Sequence, residues 1–203
     1  MKSAGNNNNR KDNSCHKKRG RLFIISGPSG TGKSSLVTDA LKDLDGFIRS
    51  VSVTTRPRRK NELKGKRYKF VSKEEFEKLK RDNQLLECAY YCDFQYGTPK
   101  ALVEEQLAEG INVILEIEVN GAMQVKEKIK DAFMVFILPP ALIHLRKRLK
   151  KRNTESLKEI EKRMKISEEE LKYQKYYDCI IVNNDYNEAL LNLKQILITQ
   201  KGC

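Results

Sequence analysis

The chain has 203 residues, 40 of them Lys or Arg against 27 Asp or Glu, giving a formal net charge of +13; 39% are hydrophobic and none is Trp. A chain of this length buries roughly two thirds of its unfolded surface, so one α/β domain needs no disulfide scaffold, and the scattered Cys15, Cys88, Cys92, Cys179 and Cys203 read as reduced thiols. Membrane insertion is excluded: the most apolar stretch, Phe133 to Leu145, is short of about 18 residues and is broken by Pro139 and Pro140.

Residues 1–20 combine Asn6 to Asn9 with a basic run and no apolar stretch. That predicts a disordered basic extension rather than a secretory signal, and a cytoplasmic protein. Leu22 to Ile25 reads as a buried parallel strand ending in Ser26-Gly27. Leu36, Ala40, Leu41 and Leu44 carry helical spacing over 34–43, closed by Asp45-Gly46. Val51 and Val53 suggest a strand, followed by a basic, turn-rich stretch from Arg56 to Arg67. Ser72 with Glu75 forms a capping box for a helix from Lys73 to about Asp82. Leu85 to Tyr91 is a strand candidate, Lys100 to Glu109 a helix stopped by Gly110, and Val113 to Ile117 a second buried strand. A helix over Ala122–Ile129 and a strand over Phe133–Leu138 lead to a long charged helical region. Cys179 to Val182 is a fourth buried strand before a closing amphipathic helix.

Strands alternating with helices imply a parallel sheet covered by helices on both faces. Ligands in such a fold gather at the carboxyl ends of the strands. The positive charge is unevenly placed: residues 1–21 hold 7 basic and 1 acidic residue, 56–69 hold 8 and 1, and 142–165 hold 10 and 3, leaving the remainder net negative. Two separate basic segments within the folded region suit compact polyanions better than one nucleic-acid face; any binding of an anionic surface by the basic tail is accessory.

Gly27-Pro28-Ser29-Gly30-Thr31-Gly32-Lys33-Ser34 fits G-x-x-x-x-G-K-[ST], after a buried strand and opening a helix. The glycines let backbone N–H groups turn inward around phosphate oxygens, and the helix N-terminus adds favourable charge. Lys33 is placed to bridge the β and γ phosphates, and the Ser34 hydroxyl suits Mg²⁺. Val113-Ile114-Leu115-Glu116 is an apolar strand delivering a carboxylate beside the loop; Glu116 either orients a magnesium-bound water or is a solvated strand end.

Thr54-Thr55-Arg56-Pro57-Arg58-Arg59, with Glu62, Gly65, Tyr68 and Phe70, packs guanidinium groups and a phenol into one stretch. Arg forks match phosphate oxygens bidentately and Tyr supplies a neutral donor, which suits a phosphate monoester. By composition alone, a solvated basic loop stays open as the other reading. His16 and His144, and Cys88 with Cys92, lack companions at metal-ligand spacing. Tyr173, Tyr176 and Tyr177 are predicted to pack.

The phosphate loop together with T-[ST]-R-x-x-[KR]-x-x-[DE]-x-x-G-x-x-Y-x-[FY] resembles guanylate kinase. The likeness continues through Tyr96-Gly97-Thr98, Glu116 to Ala122, Pro139-Pro140, Arg148 to Glu155 and Ile181-Val182-Asn183, covering about residues 21–198. It implies a parallel-sheet P-loop core (21–50, 99–140 and 166–203), an inserted GMP-binding subdomain (51–98) and a helical lid (141–165). It implies an ATP:GMP phosphotransferase that uses Mg²⁺, takes GMP and also dGMP as acceptor in purine recycling, and works as a monomer or weak homo-oligomer.

Carried over by the resemblance, Arg56, Arg59, Tyr68 and Tyr96 hold the GMP phosphate, while Ser52, Glu87, Thr98 and Glu118 surround the guanine. Thr98 stands where the family commonly has Ser, and Glu118 where it commonly has Asp. Arg148, Arg152 and Arg163 match arginines that the lid and its adjoining helix send to the transferring phosphoryl group. Another nucleoside monophosphate kinase, or a catalytically inactive protein-binding module of the same family, are the competing readings; Lys33, Ser34 and the three lid arginines argue against the second.

Overall fold

The computed structural model describes residues 18–58, 67–151 and 157–201, without the side chains of 147–151 and 157–159. Its centre is a five-stranded sheet. Strand β1 (Leu22–Ser26) is the middle strand, and the four others are β2 (Phe47–Arg49), β7 (Asn112–Glu116), β8 (Phe133–Leu138) and β9 (Cys179–Val182), in the order β2-β7-β1-β8-β9 with every pairing parallel. Alternation along β1 explains why helices cover both faces. Leu22 and Ile24 pack with Val103 and Leu107 of α3 (Lys100–Ala108) and with Val119, Ala122 and Val125 of α4 (Val119–Lys128). Phe23 and Ile25 point the other way, against Leu36, Val37 and Ala40 of α1 (Lys33–Ala40) and Ala189, Leu193 and Leu197 of α7 (Tyr186–Gln200).

A second sheet is inserted between β2 and α3. It runs β4-β3-β6-β5, from β3 (Ser52–Thr54), β4 (Tyr68–Phe70), β5 (Leu85–Tyr91) and β6 (Phe94–Pro99). Helix α2 (Lys73–Arg81) packs Phe76 against Val53 and Leu85, and begins in the predicted capping box: Glu75 N–H donates to Ser72 Oγ at 3.1 Å and Ser72 N–H to Glu75 Oε2 at 2.8 Å. The β5–β6 hairpin turns on Cys92 and Asp93, with φ of 46° and 69°, the pair of positive φ values that a tight two-residue hairpin requires.

Helices α5 (Leu142–Lys151) and α6 (Leu157–Leu171) occupy the predicted charged helical region. Helix α4 starts at Val119 rather than Ala122, which puts Glu118 at its N-cap position, and α1 ends three residues before the predicted Asp43. Among the tyrosines expected to pack, only Tyr177 does so, edge-on to Phe136 at 4.7 Å; Tyr173 and Tyr176 are 41% and 55% exposed because they lie on the turn after α6, off the sheet. Cys88, Cys92 and Cys179 are unbridged, His144 is exposed, and His16 lies outside the described residues. Among the described residues no helix is long and apolar enough to cross a membrane.

Candidate functional site

The site gathers at the carboxyl ends of β1, β7 and β8. The loop from Gly27 to Gly32 joins β1 to α1, and Gly27 and Gly32 take φ of 138° and 97°, where a side chain is strained. Space forbids one too: a Cβ would lie 2.2 Å from the Ile137 carbonyl oxygen at Gly27 and 2.5 Å from Asn183 Nδ2 at Gly32. Asn183, at the end of β9, donates Nδ2–H to the Thr31 carbonyl at 2.6 Å and so fastens the loop to the sheet. Lys33 is buried, with its ammonium donating to the carbonyls of Gly27 and, at 3.0 Å, Pro28.

The first residues of α1 bring Ser34 against Glu116. Pairing of Ile25 with Glu116 sets that carboxylate beside the loop, and Ser34 Oγ donates to Glu116 Oε1. These are hard oxygen donors of the kind Mg²⁺ prefers. Two arginines already compensate the carboxylate: Arg67 Nη2 donates to Oε1 at 2.9 Å, and Arg49 Nε lies 3.7 Å from Oε2. Burial holds the Arg49 guanidinium below the ordinary arginine range, an effect Glu116 partly offsets. Among the described residues no three His, Cys, Asp or Glu side chains form a metal cluster. One Ser and one carboxylate fit Mg²⁺, which commonly takes one or two protein ligands and completes its shell with phosphates and water.

The second sheet builds a separate cluster of polar and aromatic side chains. Arg56 is buried, with its guanidinium carbon 5.6 Å from the ring centres of both Tyr68 and Phe70. Tyr68 meets Tyr96 edge-on at 6.0 Å. Burial pushes the Tyr68 hydroxyl far above its ordinary range, so it remains a neutral donor. The parallel register of Ser52 with Tyr68, and of Thr54 with Phe70, explains why residues spaced along the sequence become a cluster: strands β3 and β4 lie side by side, and Arg56, just past the end of β3, comes against the rings of β4.

Glu87 lies deeper, only 3% exposed, on β5 opposite Thr98 of β6. Thr98 Oγ1 donates to Glu87 Oε1 at 2.7 Å, and the other carboxylate oxygen rests where a Cβ on Gly121 would be, 2.5 Å away. Burial raises the Glu87 carboxyl to about 7, against the lowering effect of Thr98 and Lys128. Ser52 is buried as well. Among the described residues Glu118 Oε2 is buried without a hydrogen-bond partner, and so is Glu170 Oε2 of α6. Burial, then the neighbouring Glu118, pushes Glu170 well above the usual carboxylate range. Both line a cavity of about 570 Å³ with Ala89, Tyr91, Met123 and Ile166.

Comparison with known proteins agrees with this geometry. A family model described as guanylate kinase matches residues 19–200. A guanylate kinase of Caldanaerobacter subterraneus subsp. tengcongensis is 43% identical over 185 residues, covering 91% of this chain and 90% of the relative. One of Rubrobacter xylanophilus is 44% identical over 180 residues, 89% and 94% of the two chains. The chain belongs to the guanylate kinase family. A crystal structure of guanylate kinase from Anaplasma phagocytophilum superposes with a TM-score of 0.75 at 29% identity, over 90% of this chain and 87% of that one.

Relative to the guanylate kinase expectations, the described residues bring together the phosphate loop, Ser34 with Glu116, Arg56 with Tyr68 and Tyr96, and Glu87 with Thr98. Arg163 also arrives at the site: it is buried on α6, its Nη1 donates to Ser29 Oγ at 3.3 Å, and it lies 6.0 Å from the Tyr91 ring centre. Arg148 falls within α5, its side chain outside the described residues, and Arg59 and Arg152 lie outside them altogether, as do Glu62 and Gly65. Arg49, Arg67, Glu170 and Gly121 do not stand out in the sequence as residues of the site. Arg67 is indistinguishable in the sequence from its basic neighbours, and Gly121 carries meaning only once β5 is known to cross α4.

Proposed function

We propose that this chain transfers the γ-phosphoryl group of ATP to GMP, giving ADP and GDP, with the phosphate loop holding the donor and the second sheet holding the acceptor. The observation that carries the guanine assignment is the buried Glu87 carboxylate, braced on one oxygen by Thr98 and given room by Gly121. Guanine offers N1–H and its exocyclic amine as adjacent donors, which one carboxylate accepts together; adenine lacks that donor pair, and a buried acceptor left unsatisfied penalises the wrong base.

In this reading Arg56, Arg59, Tyr68 and Tyr96 hold the GMP phosphate, Ser52 and Thr98 serve the base, and Glu118 closes the pocket from the N-terminus of α4. Backbone N–H groups from Gly27 to Gly32 cradle the ATP phosphates. Lys33 moves its ammonium from the loop carbonyls to the β and γ phosphates. Mg²⁺, held by Ser34 with Glu116 through water, supplies charge neutralisation across the phosphates when bound. Arg148, Arg152 and Arg163 offset the charge of the transferring group from the other side, and a lid over residues 141–165 keeps water from it. No covalent intermediate is required.

A coupled assay across GMP, dGMP, AMP, UMP and dTMP tests the proposal. Turnover confined to guanine nucleotides supports it; equal or greater turnover of AMP overturns the guanine assignments. No turnover with any monophosphate would support a protein-binding module instead.

A further inference from the structure

Arg67 sits between the two pockets and belongs fully to neither. It leads into β4, one residue before Tyr68, and its Nη2 donates to Ser34 Oγ and to Glu116 at 2.9 Å (Oε1) and 3.1 Å (Oε2). Ser34 Oγ and the Glu116 carboxylate are the atoms assigned to Mg²⁺, and the role inferred for Arg67 rests on that assignment. Arg49 shares the carboxylate but is differently held. Its side chain is only 11% exposed, and its Nη2 also donates to the Ser34 carbonyl at 3.2 Å and to Thr38 Oγ1 at 2.9 Å, tying it to α1. Arg67 is 37% exposed, and among the described residues its side-chain hydrogen bonds run to the Ser34 hydroxyl and Glu116. One guanidinium is anchored and the other can leave.

Arg67 and a metal ion exclude each other at Ser34. Mg²⁺ binds through an oxygen lone pair at about 2.0–2.1 Å and demands near-octahedral geometry. An N–H aimed at that hydroxyl oxygen occupies the same approach, and two positive groups at one oxygen repel. A displaced Arg67 does not go far, because Tyr68 follows it directly. Its guanidinium carbon is 6.0 Å from the Tyr68 ring centre, the ring that also lies near Arg56 and Tyr96.

We infer that Arg67 is a displaceable countercation that couples the two nucleotide sites: it competes with Mg²⁺ for Ser34 Oγ and the Glu116 carboxylate, and on displacement adds positive charge at the monophosphate pocket beside Tyr68. The linkage is reciprocal. Metal-nucleotide binding frees Arg67 for the acceptor phosphate, and an acceptor phosphate that draws Arg67 away clears Ser34 for the metal, each by the same factor. Arg67 is thus a positioning residue.

Calorimetric titration of ADP, which does not react with GMP, reads this directly. ADP is titrated with Mg²⁺ and with EDTA, each with and without GMP, into the wild-type chain and into Arg67→Gln, Arg67→Lys and Ser34→Ala. The inference requires three results. The tightening of ADP by Mg²⁺ is greater in Arg67→Gln than in wild type by about five-fold or more, the low end of common coupling factors. GMP tightens Mg·ADP in wild type and ceases to do so in Arg67→Gln. Arg67→Lys, which keeps the charge without the fork, falls between. An unchanged or smaller Mg²⁺ effect in Arg67→Gln, or a GMP effect that survives the substitution, overturns the inference alone, provided Ser34→Ala abolishes the Mg²⁺ effect. If Ser34→Ala leaves the Mg²⁺ effect intact, the metal assignment fails and the inference falls with it.

Discussion

Thr98 donates its hydroxyl hydrogen to Glu87 at 2.7 Å across the β5–β6 pair, where Glu87 is only 3% exposed. The bond leaves one carboxylate oxygen and the remaining lone pairs for a planar base with two adjacent N–H groups. Replacing Glu87 by Gln keeps the shape and removes one acceptor, turning it into a donor. kcat/KM for GMP should fall by about 10²-fold or more, with the KM for ATP little changed. Steady-state kinetics with each substrate varied in turn checks this.

The same residue sets a pH dependence. Burial raises the Glu87 carboxyl to about 7, and guanine donors bind the ionised form. Above pH 7 the acceptor is charged and GMP binding is at its plateau; as pH falls through 7 the carboxyl takes a proton and affinity declines, approaching ten-fold per unit. The measurement is KM for GMP from pH 8 to pH 5.5, with the phosphate ionisation of free GMP, near pH 6, corrected using Glu87→Gln as the reference. A flat corrected profile would contradict the assignment.

Gly121 makes a sharper steric test. A methyl group there meets Glu87 Oε2 at 2.5 Å, and because the obstacle is the end of a side chain, the carboxylate can swing aside at little cost to the fold. Gly121→Ala should raise KM for GMP by about ten-fold while stability changes by no more than ~1 kcal/mol. A thermal melt alongside the kinetics separates the two effects.

Much of this architecture is legible before folding. Three buried strands of the core, β1, β7 and β8, announce themselves as continuous apolar runs, and the phosphate loop carries its own context; β9 is apolar too but, as the edge strand, leaves Ile180 and Val182 exposed instead of buried as expected. Three other strands are hidden for different reasons. β2 offers only Phe47, Ile48 and Arg49 after Gly46. β4 is a three-residue edge. β6 contains Gly97 and Pro99, and its hairpin turns on Cys92-Asp93 without the glycine that normally marks such a turn. The residues of the site that emerge only in three dimensions, Arg49, Arg67 and Glu170, each meet a partner far along the chain, Glu116 for the two arginines and Glu118 for Glu170; charged sequence neighbours mask Arg67 and Glu170, whereas Arg49 stands between the uncharged Ile48 and Ser50 with nothing to mark it.

Lys33 should behave as an essential part of the donor site. Its ammonium is held at the Gly27 and Pro28 carbonyls without a carboxylate partner in these contacts. Lys33→Ala should reduce kcat by about 10³-fold or more with little effect on folding. Full activity in that variant would remove the mechanism.

Helix α6 is joined to the β5–β6 turn by Lys162, whose Nζ donates to both oxygens of Asp93 at 2.8 Å. The pair sits one residue from Arg163 and on the turn next to Tyr91. Both partners are exposed, so the effect is small: Asp93→Lys should lower kcat about two- to four-fold, and more weakly at high salt. Adding Lys162→Asp should restore it. A double variant no better than the single one would show that the pair does not help to place Arg163.

In the proposed function, donor and acceptor nucleotides bind at once with their phosphates facing. An adenosine and a guanosine joined 5′ to 5′ through a polyphosphate chain test it in one calorimetric titration. One equivalent should bind far more tightly than either ATP or GMP, as expected when one molecule fills two adjacent sites, and Lys33→Ala and Glu87→Gln should each weaken it. Binding no tighter than ATP alone, or indifference to Glu87→Gln, would overturn the paired-site arrangement.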